Sequence, residues 1–142
     1  MASPVRSLAD FVSIYVERLK AKDIDGLGDL YAPGAVLSSA RGQDDAFWAV
    51  GRDAIKDYLA VALRAYTVIE ETPPTEDFDV WDGVLAWRRG VFTCVFADGA
   101  GTPDRLSVEA VEVLMLSPAE GWQYVADLSR AQPVTRPSTG PV

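Results

Sequence analysis

The sequence predicts an α+β fold: three N-terminal helices packed on a strongly curved, mainly antiparallel sheet, cone-shaped with an apolar pocket. Three observations carry this. Apolar residues recur at helical spacing as far as about Thr67. Beyond it they alternate, in runs divided by turn residues. The helical segments all precede the main strands, which favours hairpin connections over parallel crossovers. The 142 residues suit one domain, spanning 1–132. Residues 133–142 are rich in Pro, Ser and Thr and read as a disordered tail.

Ser3 before Pro4, or else Ser7, is a candidate cap for a first helix running to about residue 21. Leu8, Phe11, Ile14, Tyr15, Val16 and Leu19 form its apolar stripe. Tyr15 is either a core aromatic on that stripe or a donor aimed into a cavity. Asp23 caps a short second helix over 24–30, weakened by Gly26 and Gly28. Residues 35–39 form a short strand, and 41–50 a loop in which Phe47 and Trp48 form a lid or rim, or simply pack. The third helix opens at Gly51 and ends near Thr67, made amphipathic by Ile55, Tyr58, Leu59, Val61, Ala62, Leu63 and Tyr66.

Residues 67–71 are a candidate strand stopped by Pro73 and Pro74. Residues 78–81 are another, closed by an Asp82-Gly83 hairpin turn. The strand 84–97 carries Trp87, Arg89, Val91, Thr93 and Val95 on one face. Arg88, Phe92, Cys94 and Phe96 lie on the other, and either face is open to line the cavity. A glycine-rich connection, 98–104, leads to the strand 107–116. That connection is no phosphate loop, because no helix follows it. A turn at 118–121 precedes the last strand, 122–129.

The strand 107–116 places two acids in an apolar run, Glu109 and Glu112. Their odd separation sends them to opposite faces, Glu112 with Val108, Ala110, Leu114 and Leu116, Glu109 with Val111, Val113 and Met115, and both faces read as mostly buried. Desolvation there would raise a carboxyl pKa and poise it for proton transfer.

Composition narrows the chemistry. The formal net charge of −8 argues against nucleic acid or an anionic membrane as partner. With no histidine, Ser–His and Cys–His catalysis and His-ligated metals are excluded, and no metal or cofactor is expected. The single cysteine, Cys94, reads as a buried structural thiol. With no signal-like N-terminus and no run long enough to span a bilayer, the expected location is the cytoplasm.

The order of elements and a set of short motifs resemble the nuclear transport factor 2-like superfamily, in its SnoaL-type polyketide cyclase and ketosteroid isomerase branch. The motifs are Tyr15-Val-Glu-Arg-Leu, Asp23-Ile-Asp-Gly-Leu, Leu30-Tyr-Ala-Pro-Gly-Ala, Gly51-Arg-Asp-Ala-Ile-Lys-Asp-Tyr-Leu and the terminal hairpin around Glu112 and Asp127. The resemblance covers residues 8–132. It places Tyr15 where ketosteroid isomerases keep an oxyanion-hole tyrosine, and Glu112 where they keep a protonated acid that donates a second hydrogen bond. Ser39 falls at the position of their general-base aspartate, which puts the steroid-isomerase reaction in doubt. Asp127 is the best substitute base, or else an edge acid or a partner for Arg88, Arg89 or Arg130.

The resemblance implies a polyketide tailoring cyclase, among them the indane-forming kind. Such an enzyme folds a linear lipophilic polyene and closes a ring, by a Diels–Alder-type [4+2] reaction or through an enolate. Tyr15, Glu112 and Asp127 are then the catalytic candidates, and Trp48, Trp81, Trp87, Phe92, Leu114 and Ser39 the substrate-binding ones. An epoxide hydrolase, a ketosteroid-isomerase-like isomerase and a non-catalytic lipophilic ligand-binding or dimerisation module are the rival readings. A homodimer through the convex sheet face is the implied assembly.

Overall fold

The computed structural model describes residues 3–41 and 46–133. Helix α1 is Leu8–Lys20, and the Ser7 hydroxyl caps it by accepting from the Asp10 amide. Helix α2 is only Ile24–Gly28, capped by Asp23. Helix α3 is Arg52–Ala65. The strands are β1 Tyr31–Arg41, β2 Phe47–Val50, β3 Thr67–Thr72, β4 Asp79–Trp81, β5 Leu85–Ala97, β6 Pro103–Ser117 and β7 Gly121–Pro133. Most of the predicted tail lies outside the described residues. Among the described residues no helix is long and apolar enough to cross a membrane.

The sheet runs β2-β1-β7-β6-β5-β3, with β4 also paired to β5. Every pairing is antiparallel except β1 with β7, which is parallel. This curved, mostly antiparallel sheet wraps the helices, as expected for the α+β class.

Two sequence expectations need correction. The strand predicted at 35–39 is eleven residues long and starts at Tyr31. Pro33-Gly34 does not end it, because the register with β7 shifts between Tyr31 and Val36 and the chain passes the proline in that irregularity. The predicted loop 41–50 also contains a strand, since 47–50 pairs with β1 from Ser39↔Phe47 to Val36↔Val50. There β2 is an edge strand, which a short apolar run of four residues does not announce.

The core joins the inner faces of all three helices to the sheet. Phe11, Leu27, Leu30, Tyr31, Ile55 and Leu114 are fully buried within it. Its lower end is sealed by the N-terminus, where Trp122 N–H donates to the Val5 carbonyl at 2.8 Å. Gly121 makes that approach possible: its φ is +73°, and a Cβ there would collide with the Val5 backbone.

Candidate active site

The helices and the sheet enclose a cavity of about 250 Å3. Helix α1 lines it with Val12, Tyr15, Val16 and Leu19, spaced at i, i+3, i+4 and i+7. Helix α3 contributes Tyr58, Leu59, Ala62 and Leu63. On β5 the face carrying Arg88, Phe92 and Cys94 lines it, while Trp87, Arg89 and Val91 are exposed.

Two bulges decide which acids enter. On β7, Val113 pairs with Ala126 but Leu114 with Tyr124, so Val125 is an extra residue. Tyr124 and Asp127, three apart, would lie on opposite faces of a regular strand. The extra residue brings both to the cavity. On β3, Val68 pairs with Phe96 but Glu70 with Val95, so Ile69 is extra. Val68 then packs on the core, and Glu71 also turns inward.

The polar groups form two clusters. In the first, Tyr31 donates to Asp127 Oδ2 at 2.6 Å, and the Tyr15 hydroxyl lies 3.3 Å from that of Tyr31. Burial pushes the Asp127 carboxyl up to about 7, against the Tyr31 hydrogen bond, which lowers it; nearby Glu112 adds to the rise. Burial, then the charge of Asp127, holds both phenols well above the ordinary tyrosine value.

In the second cluster Arg88 and Glu112 face each other directly across β5 and β6. Glu112 Oε1 accepts from Arg88 Nη2 at 3.0 Å and Nε at 3.3 Å, and Oε2 accepts from Tyr124 at 2.7 Å. The Phe78 ring lies 4.1 Å from the guanidinium. Both charged side chains are buried, so each requires the other. Apart from both clusters stands Glu71. Its Oε2 is shut off from solvent with no hydrogen-bond partner among the described residues. Burial, then the charges of Asp127 and Glu112, raises its carboxyl to about 7.

Tyr15, Glu112 and Asp127 do come together around the cavity, as do Phe92 and Ser39. The role expected for Glu112 needs correction: both its oxygens are taken as acceptors, so it is not arranged to donate a hydrogen bond. The alternative of Asp127 as a partner for Arg88 or Arg89 also falls, because those arginines pair with Glu112 and Glu109.

Trp48, Trp81 and Trp87 stand outside the cavity and are 59%, 73% and 47% exposed. Trp81 sits on the short hairpin strand β4, and Trp87 on the outer face of β5. Leu114 is in the core beneath the site and does not line it. Phe47, half-exposed, stacks at 4.9 Å on Tyr58, which does line it.

Periodicity and motifs did not single out Tyr31, Glu71 or the pairing of Arg88 with Glu112. A signal existed for Arg88. With the 98–102 turn centred at residue 100, counting outward puts residue 88 opposite 112. None existed for Glu71, whose direction depends on the bulge. Cys94 is half-buried against the cavity, with its thiol raised to about 11 by burial and then by Glu71. Such a thiol is not an activated nucleophile. Among the described residues no three His, Cys, Asp or Glu side chains are grouped to hold a metal ion.

Solved structures share this fold at low sequence identity. A ketosteroid isomerase-like protein from Erwinia carotovora atroseptica matches with a TM-score of 0.71 at 15% identity, over 91% of this chain and 95% of its own. A candidate scytalone dehydratase from Novosphingobium aromaticivorans gives 0.72 at 16%, over 92% and 93%. A candidate calcium/calmodulin dependent protein kinase II association domain from Xanthomonas campestris gives 0.71 at 20%, over 95% of each chain. The chain therefore has the nuclear transport factor 2-like cone fold, a scaffold that hosts many activities. No protein-family model and no curated protein matches it.

Proposed function

We propose that the protein is a cofactor-independent enzyme that moves a proton on a lipophilic carbonyl compound, as an isomerase or as an enolate-assisted cyclase of the polyketide-tailoring kind. One observation carries this reading: the Tyr15–Tyr31–Asp127 chain, which links a partly buried base to a donor on the cavity wall. Asp127, held near 7, is matched to proton transfer at neutral pH.

In its carboxylate form Asp127 takes the single proton of Tyr31, so the Tyr31 oxygen is left to accept from Tyr15. Asp127 removes a proton α to the substrate carbonyl, and the electron pair passes to the carbonyl oxygen as an enolate. The protonated carboxyl then donates to Tyr31, Tyr31 to Tyr15, and Tyr15 to the enolate oxygen. The donor strengthens as the charge develops, which is what transition-state stabilisation requires. With a β,γ-unsaturated ketone, return of the proton to the γ carbon isomerises the substrate; attack of the enolate carbon on a second carbonyl closes a ring, and the alkoxide that forms takes the proton back from Asp127.

The cavity falls below the range of about 300–1,000 Å3 typical of drug-sized ligands. A compact ketone fits within it. Assembly as a homodimer is part of the same reading. It is supported by the exposed Trp87, Val91 and Met115 on the outer face of β5 and β6, and by the likeness to an association domain.

The test is hydrogen exchange in D2O with benzylacetone (4-phenyl-2-butanone), followed by NMR. The protein should speed loss of the protons α to the carbonyl, and Asp127→Asn should remove the acceleration. Equal rates for both proteins would refute the reading.

A further inference from the structure

Glu71 has no task in the chemistry above, yet the fold takes trouble to place it. The bulge at Ile69 turns it inward; in a regular strand Glu70 would share the face of Val68 instead. The bulge at Val125 does the same for Asp127. Once inside, Glu71 lines the cavity beside Cys94, its cross-strand neighbour, and leaves Oε2 without a partner among the described residues. A desolvated acceptor with nothing to accept destabilises the folded chain. Arg88, the cationic side chain on the cavity wall, is committed to Glu112 and to the Glu76 carbonyl.

We propose that Glu71 is a specificity-determining residue that receives a hydroxyl group of the ligand, so that the substrate class is a lipophilic ketone bearing a hydroxyl remote from its carbonyl. This rests on the carbonyl-binding reading above. With Asp127 protonated and the relay turned toward the ligand, Tyr15 addresses the carbonyl oxygen, and Glu71 accepts the O–H at a separate point on the wall. Together they fix orientation as well as identity. The apolar lining between them selects the carbon skeleton. An ammonium group is the competing donor, but it would have to give up its hydration as a full charge among the apolar lining, which a neutral hydroxyl does not.

The experiment compares three probes by calorimetry on the full chain: benzylacetone, 4-(4-hydroxyphenyl)-2-butanone, and the 4-(aminomethyl)phenyl analogue. The hydroxylated ketone should bind at least about tenfold tighter than benzylacetone, the scale of one hydrogen bond to a charged acceptor. Glu71→Leu should erase that preference, and Glu71→Gln should keep part of it. Circular dichroism establishes that both variants fold.

Equal affinity for both ketones in the unaltered protein, or a preference that survives Glu71→Leu, would overturn the role of Glu71 while benzylacetone binding still upholds the carbonyl site. Tighter binding of the amine would overturn the hydroxyl class. Binding of neither ketone would defeat the carbonyl reading itself, and this inference with it.

Discussion

Glutamine at position 71 should stabilise the protein, and only above acidic pH. The Glu71 carboxyl sits at about 7 in the folded chain against 4.5 ordinarily. Below 4.5 both the folded and unfolded chains hold the proton, and the site costs nothing. Between 4.5 and 7 the folded chain keeps a proton that the unfolded chain has shed, so stability falls as pH rises. Above 7 the loss is complete. At about 1.4 kcal/mol per unit it amounts to about 3 kcal/mol. For a chain of this size that corresponds to roughly 10 °C in Tm.

Glu71→Gln keeps the shape and cannot titrate. Urea denaturation at a series of pH values, compared between the two proteins, cancels the repulsion expected of a chain with net charge −8. The two curves should meet near pH 4 and diverge to about 3 kcal/mol by pH 8. Parallel curves across that range would show that Glu71 is solvated, and would refute the burial on which its role depends.

Glu112→Gln should cost about 3–5 kcal/mol, because Arg88 stays buried without its countercharge. The double variant Arg88→Met/Glu112→Leu should recover much of that loss in the same denaturation assay. Tyr31→Phe removes the hydrogen bond that lowers the Asp127 carboxyl, so the pH midpoint of hydrogen exchange should move upward, since the base acts as its carboxylate. That variant should lose about 1 kcal/mol of stability. Cys94, with its thiol at about 11, should react with iodoacetamide at pH 8 roughly a hundredfold more slowly than a free cysteine, read by mass spectrometry of the intact protein.

The fold was legible because its signals are local. The stripe of α1, the Ser7 and Asp23 caps and the Asp82-Gly83 turn depend on neighbours in sequence, and each lies where the periodicity puts it. The site was legible only where strands alternate without interruption. Glu112 faces inward because Val108, Ala110 and Leu114 do. Tyr31 and Glu71 escaped because each lies beside a register irregularity, and a one-residue slip exchanges the faces of a strand. Tryptophan was misleading for another reason. Its size suggests a binding wall, but Trp87 lies on the solvent side of β5, and Trp81 is on β4, whose three residues are all exposed. Alternation alone does not say which side is convex.

The parallel pairing of β1 with β7 bears on how the protein is made. Tyr31 and Asp127 stand 96 residues apart in the chain, yet share a hydrogen bond. A nascent chain that has released the helices and the β5–β6 hairpin still lacks the strand between β1 and β6. It presents two open strand edges and has no relay. Loop closure over such distances is slow, and open edges invite association with other chains. Docking of the last strand therefore closes the sheet, hides the edges and assembles the proton relay in one step. Any truncation within β7 should yield a sticky precursor rather than a weakened version of the finished molecule.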